Sequence, residues 1–482
     1  MIDPRPALHV IGLGIAALGV LMAVPMALDL ARGDPNWAPF LEAGAITALF
    51  GGTLALATAN GLRGSLSLSQ AFLLTTGLWG VLPAFGALPF ILGVPGVSVT
   101  DAYFEAMSGL TTTGTTVFVG LDGMPRGTLL WRAMLQWLGG LGIVIVALVF
   151  LPVMRVGGMQ FFRSEGFDTL GKILPRAADI SAALLRVYVV LTAACAAAYI
   201  LLGMGVFDAV AHALTTVATG GFSSSDRSFA LFAGPAEYAA VLFMVLASLP
   251  FIRLVQLTGG SFRPLLGDVQ VRAYLRWLGY ASALILVYLL ATGHGAPGET
   301  FREVLFNVVS AFSGTGYSST DLYAWGAFPL VILVISGAIG GCTASTGCSI
   351  KVFRYLVLIE AIKAQIRQLY SPSRVVALRL DGRDIQPDVL DSVILLFTAF
   401  ILGFGVLIVG LALTGLSVET SITAAWTAIF NIGPAFGPEI GPTGAVDGFP
   451  AAAKWMMSAG MLTGRLEMIS VLVLFTRRLW QG

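Results

Sequence analysis

Residues 101–114 read DAYFEAMSGLTTTG, and the same layout returns as DAVAHALTTVATG at 208–220, EVLFNVVSAFSGTG at 303–316 and TSITAAWTAIFNIG at 420–433. Each segment opens on acid or hydroxyl residues, continues through a mostly apolar turn sequence and closes on a glycine: Gly114, Gly220, Gly316 or Gly433. Polar or turn-forming residues follow, and then a long hydrophobic run. The intervals between these glycines are 106, 96 and 117 residues, too long for a solenoid and right for two membrane helices joined by a re-entrant loop. Identity between the segments is low, so the repeat is carried by order and chemistry.

Composition sets the solvent. With 57% hydrophobic and 11% charged residues among 482, the chain holds more apolar surface than one water-soluble domain buries, and a polytopic membrane protein is the economical reading. Apolar windows long enough to cross a bilayer recur at 8–30, 38–60, 71–93, 128–152, 184–204, 236–257, 274–292, 327–358, 391–415 and 453–475. The first is too long for a signal-peptide core and is expected to be retained. The glycine segments fall between the third and fourth, fifth and sixth, seventh and eighth, and ninth and tenth windows. The expected fold is therefore all-α and polytopic, with two N-terminal helices (1–64) ahead of four pseudo-repeated helix/pore-loop/helix units at 65–160, 161–265, 266–375 and 376–482 around one central pore. Cys195, Cys342 and Cys348 read as buried thiols, and His9, His212 and His294 are too scattered to suggest a metal site.

Charge gives orientation. With a cytoplasmic N-terminus, the glycine segments all face outward, and that side holds only Arg32, Arg126, Arg132, Arg227, Arg302 and Lys454. The opposite side collects Arg155, Arg163, Lys172, Arg176, Arg253, Arg263, Arg272, Arg276, Lys351, Arg354, Lys363, Arg367, Arg374, Arg379, Arg383, Arg477 and Arg478, the bias expected of cytoplasmic loops. Asp101, Glu105, Asp122, Asp208, Asp226, Glu299, Glu303, Asp321, Glu419, Glu439 and Asp447 then gather outside, where an acidic vestibule would concentrate cations.

Non-helical backbone cannot face lipid, because its unpaired amides cost several kcal/mol each, so four such loops must converge on protein or water. Asp101, Asp208, Glu303 and the Glu419–Thr420 pair complement the positive ends of the short preceding helices, leaving the negative ends aimed inward at a cation. Glycine admits backbone angles that aim successive carbonyls at one axis, where they replace a hydration shell. Thr112, Thr113, Thr219 and Thr315 add hydroxyls. An ordinary helix C-cap would account for any single glycine. Four in one setting ask for a shared purpose.

Gly340, Gly341 and Gly347, with Thr343, Ser345, Thr346 and Ser349, interrupt the eighth window, and such a break is costly unless it borders water. The third unit's outgoing helix is expected to be the only broken one. A phosphate loop is excluded by the missing Gly-Lys-Ser/Thr ending, while a glycine-rich packing face stays open. Arg465 is the one strongly basic residue deep in the last window and either projects into the pore as a barrier or pairs with a neighbouring helix. Glu467 lies on another face, two residues away. The sequence has no HExxH, no GxSxG and no intramembrane His/Asp pair, so an enzyme is not expected.

GLTTTGTT at 109–116, ATGGFS at 218–223, GTGY at 314–317 and NIGPAFGP at 431–438 resemble the pore loops of the TrkH/TrkG/KtrB superfamily of potassium-transporting membrane proteins. GGCTASTGCSIKVFR at 340–354 is similar to its intramembrane loop and MLTGRLE at 461–467 to its last pore-lining helix; the two leading helices place the chain on the TrkH side. The resemblance implies potassium as the transported ion, no covalent cofactor, and a selectivity filter of Thr112, Thr113, Gly114, Ala218, Thr219, Gly220, Gly314, Thr315, Gly316, Asn431, Ile432 and Gly433. It further implies a gate of Gly340, Gly341, Thr343, Ser345, Thr346, Gly347 and Arg465. A homodimer, a cytosolic TrkA-like nucleotide-binding ring and a bacterial cytoplasmic membrane belong to the same implication; nucleic acid does not. The fourth loop lacks threonine beside its glycine and has Ala435 where relatives often have glycine, so it is expected to be looser. A passive channel and a sodium- or proton-coupled symporter both remain open.

Overall fold

The structure, a computed structural model, describes residues 3–61, 66–150, 154, 157–158, 161, 177–373, 377–477 and 480. Arg155, Arg163, Lys172, Pro175, Arg176, Arg374 and Arg478 of the charged connections lie outside the described residues.

Helices occupy all ten apolar windows, though not as ten simple crossings. Among the described residues seven helices are long and apolar enough to span, from Arg5–Arg32 to Pro387–Leu413, and nine spans result if each of two bent pairs counts once. The first two lie close together because small residues line their seam: a Cβ on Gly12 or Gly19 would come within 2.7 or 2.5 Å of the Ala55 or Ala48 backbone nitrogen. Asp29, buried at the end of the first span, accepts hydrogen bonds from Gly127 N (2.6 Å) and Asn36 Nδ2 (3.1 Å), which ties this pair to the first repeated unit.

The four glycine segments form short helices, Val99–Leu110, Val206–Val217, Pro297–Ser313 and Val418–Phe430, too short to cross. Ser98 and Ser417 cap the first and fourth by accepting from Asp101 N and Thr420 N. First-turn acids are Asp101, Asp208, Glu299 and Glu419. This corrects one assignment: the third helix starts at Pro297, so Glu299 complements its dipole and Glu303 stands a turn further in.

A broken outgoing helix is not peculiar to the third unit. Pro235–Ser248 turns into Phe251–Thr258 through 102°, and Ala451–Arg465 turns into Ile469–Phe475 through 106°. In the third unit Ala327–Ile339 stops at Gly340 and helix resumes only at Val352. The second break falls at Leu249–Pro250, where proline offers no N–H. The groups it frees are taken up by the third unit's loop: Cys342 N donates to Ser248 O, Thr346 N to Ala247 O, and Phe251 N to Ala344 O. One interruption thus satisfies the other. A two-stranded antiparallel hairpin at Arg379–Asp384 decorates the connection before the last unit.

Candidate functional site

Each short helix ends by throwing one residue into the left-handed region: Thr112, Thr219, Gly314 and Asn431, with φ of 51°, 52°, 82° and 54°. Two residues later comes the glycine that meets the neighbouring loop. In the first, third and fourth loops this is Gly114, Gly316 and Gly433, as the sequence spacing implies. In the second it is Gly221, one residue beyond Gly220. A Cβ on Gly114 would overlap the Gly220 carbonyl oxygen, one on Gly221 the Thr315 carbonyl oxygen, one on Gly316 would lie 2.5 Å from Gly433 N, and one on Gly433 3.4 Å from Gly114 O. The four loops therefore close a ring in chain order, and Gly114, Gly221, Gly316 and Gly433 line one opening of about 90 Å³. The corresponding triplets are Thr112–Gly114, Thr219–Gly221, Gly314–Gly316 and Asn431–Gly433. Ala218 remains in the helical region as the C-cap and stands one place short of the ring.

The register has a chemical signature. Six residues before each ring glycine stands a buried hydroxyl, Ser108, Thr215, Ser310 or Thr427, which braces a loop from behind. Ser108 donates to Thr115 O, Ser310 to Tyr317 O at 2.7 Å, Thr427 to Gly433 O at 3.3 Å, and Thr215 bonds the Tyr317 hydroxyl. Three residues earlier a second polar layer, Glu105, His212 and Asn307, holds the outgoing strands at Thr116–Val117, Ser223 and Ser319. The fourth loop is no looser in its bracing. Thr115 Oγ1 donates to Gly433 O at 2.9 Å, and Asn431 Nδ2 donates to Thr113 Oγ1 and Met461 O, each at 2.9 Å. Asparagine tolerates the left-handed backbone that this position requires.

Arg132, grouped by sequence with the outward cations, is 1% exposed. Its Nε meets Glu105 at 2.7 Å, Nη1 donates to Ser223 O at 2.9 Å, Nη2 to Thr116 Oγ1 at 3.1 Å, and its guanidinium lies 4.2 Å from the Phe222 ring centroid. It joins the first two loops. Many of the outer acids act likewise: Asp101 pairs with Lys454 at 2.6 Å, Asp226 accepts from Gly120 N and Leu121 N, and Glu439 from Ser417 and Thr420. Those hydroxyl bonds hold the Glu439 carboxyl below the usual glutamate range. Of the acids expected in the vestibule, Asp226 and Asp321 are those among the described residues that line the bowl of about 480 Å³ beside the ring.

Directly behind the ring sits the 340–349 loop, buried throughout. Ser349 Oγ donates to Phe430 O at 3.0 Å, Thr346 Oγ1 to Val217 O at 3.1 Å, and Cys348 Sγ lies 3.6 Å from Thr112 Oγ1. Gly340, Gly341, Thr343, Ser345, Thr346 and Gly347 all belong to it; Thr343 N donates to Gln270 Oε1 at 3.0 Å and Ser345 Oγ to Cys342 O at 2.6 Å. Arg465 ends the helix that precedes the fourth unit's break, and its guanidinium donates to Thr346 O at 3.1 Å and to Cys348 Sγ. It is thus brought to the loop rather than to a carboxylate. Glu467, with φ of 58°, pairs with Arg354, which also donates to Gly157 O and Ile350 O. Cys195, Cys342 and Cys348 are buried free thiols.

Sequence reasoning missed Gln136, Arg132 as a brace, the hydroxyl layer and Gly221. The hydroxyl layer could have been found: Ser108, Thr215, Ser310 and Thr427 align only when Gly221 takes the second place.

The model of the TrkH family, described as a cation transport protein, matches residues 38–482. The Trk system potassium uptake protein TrkI of Halomonas elongata is 38% identical over 483 residues, covering 99% of this chain and 97% of that protein. The Trk system potassium uptake protein TrkH of Vibrio parahaemolyticus is 35% identical over 487 residues, covering 99% of each. The crystal structure of the potassium transporter TrkH from Vibrio parahaemolyticus superposes with a TM-score of 0.90 at 32% identity, over 99% of this chain and 100% of that one.

Proposed function

Because the chain belongs to the TrkH family of cation transport proteins, we propose that this multi-pass membrane protein takes up potassium through the path its four loops surround. Thr112–Gly114, Thr219–Gly221, Gly314–Gly316 and Asn431–Gly433 form the selectivity filter. The observation that carries this reading is the closed ring: four chain-ordered glycines, each against the next loop's backbone, at the converging C-terminal ends of four short helices. Carbonyls gathered there replace a cation's hydration shell, and the helix ends add negative potential.

The 340–349 loop and Arg465 act as the gate. A buried guanidinium on the ion path raises the barrier to a cation, and its hydrogen bonds to Thr346 and Cys348 hold the loop across the exit. The mouth faces outward and the N-terminus lies in the cytoplasm, as the basic bias supports. A homodimer and a cytosolic TrkA-like nucleotide-binding ring docking on the charged connections complete the proposal by resemblance. Sodium or proton coupling is the second reading, and Glu467 is the carboxylate it would use. Its pairing with Arg354 favours the passive one.

Purified protein in liposomes tests both. Potassium flux is expected to follow the potassium gradient alone, and a requirement for an imposed sodium or proton gradient would establish the coupled reading instead. Gly114→Ser is expected to lower potassium-over-sodium discrimination; unaltered relative uptake would remove the ring from the mechanism.

A further inference from the structure

Gln136 lies on the helix Arg126–Ile145, outside all four loops, and is fully buried. Both ends of its amide are spent on one loop. Nε2 donates to Gly220 O at 2.6 Å, and Oε1 accepts from Phe222 N at 3.0 Å, so the side chain brackets Gly221 from behind. The two bonds also fix which way the amide points, since the reverse orientation would set donor against donor and acceptor against acceptor.

The second loop carries two successive glycines, and they do different work. Gly221, with φ of 77°, makes the ring contact. A Cβ on Gly220 would instead collide with the carboxamide of Gln136, so the second glycine makes room for the clasp. The clasped carbonyl is the one that packs against Gly114, at the junction of the first and second loops. One turn earlier on the same helix Arg132 holds Ser223 O. Among the described residues no other loop receives a two-point amide clasp from an outgoing helix.

We propose that Gln136 is a positioning residue that determines specificity: by fixing the Gly220 carbonyl, it makes discrimination between potassium and smaller cations depend on a side chain outside the filter. The inference rests on the filter reading above. A smaller cation must draw the loops inward, and any inward shift of the Thr219–Gly221 backbone stretches the short bond that ties Gly220 O to a buried amide behind it.

Initial rates of potassium and sodium uptake into liposomes, measured separately for the full-length protein, test it. Gln136→Met, close in shape but without hydrogen bonds, is expected to lower the potassium-to-sodium ratio by about two- to tenfold, the net worth of one hydrogen bond, chiefly by raising sodium. Gln136→Glu keeps the acceptor for Phe222 N but, ionised, turns an acceptor toward Gly220 O, and is expected to lower the ratio at least as far as Gln136→Met. Gly114→Ser is measured alongside. If that control shifts the ratio while Gln136→Met does not, the clasp is not a specificity element and the filter reading stands; if neither shifts it, both fail. Equal losses of both ions' flux at constant ratio would mark Gln136 as merely structural and overturn the proposal. Should Gln136→Met not reach the membrane, Gln136→Glu decides by the same ratio.

Discussion

Above the ring, buried or half-buried cations are matched one to one with anions: Arg132 with Glu105, Lys454 with Asp101, Arg302 with Glu237. Below it, Lys351, Arg354 and Arg465 share a single near carboxylate, Glu467, which pairs with Arg354. The outer pairs are each neutral, and the loops around them are hydrogen-bonded in layers that keep their shape. The inner group carries unbalanced positive charge at or beside helix breaks, with Lys351 and Arg354 at the start of one helix and Arg465 at the end of another. Such charge is tolerated only by reaching water or backbone carbonyls, as Arg465 does at Thr346. On the reading proposed above, shape is fixed at the filter and charge is left uncompensated at the gate.

The sharpest way to break this comparison is at the ring. Gly221→Ala is expected to reduce potassium uptake to the level of empty liposomes, because its methyl group would overlap the Thr315 carbonyl. Gly120→Ala, with the same left-handed backbone in open space, is expected to cost only the backbone strain of about 1–2 kcal/mol and to keep its flux. Next comes the outer ion pair. Glu105→Gln leaves Arg132 buried without its anion, a loss of about 3–5 kcal/mol readable as a lower melting temperature in detergent, and combining it with Arg132→Met is expected to recover part of the loss. At the inner half the sign reverses: Arg465→Ala is expected to raise potassium flux by roughly several-fold. Unchanged or lower flux with intact protein would erase the contrast between the halves.

The smallest effect lies on the outer rim. The Glu439 carboxyl is held below its usual range by hydroxyls, so its contribution to stability is complete above the ordinary glutamate value of about 4.3 and disappears as pH falls through its lower folded value. Glu439→Gln is expected to flatten that acid limb of the melting-temperature profile. A limb as steep as in the parent protein would assign it to other groups.

Much of the fold could be read because long apolar runs and a fourfold glycine signal are properties of the chain itself. Ten windows emerged as helices, and four short helices emerged where the glycines indicated. What escaped depended on partners distant in sequence. The break at Leu249–Pro250 is hidden because the loop that satisfies it arrives nearly a hundred residues later. The second loop was placed one residue early because two adjacent glycines look alike in a string. Only the carboxamide of Gln136 on one side and Thr315 on the other show that they serve different neighbours. Acids near the mouth were counted as free charge, yet Glu105 and Asp101 are consumed by cations from other segments.

The staple at Asp29 bears on how the molecule is made. Its carboxylate is buried against the backbone amide of Gly127, 98 residues further along the chain. A nascent protein that has threaded only its two leading helices holds an acid with no bonding partner from the first repeated unit, which disfavours burial. The first helix packs on Leu74 of the helix Leu68–Gly86 before that stretch exists, but the Asp29 staple can close only once Gly127 has been synthesised. Truncations that end before Gly127 are therefore expected to leave this staple open and the leading pair less firmly held.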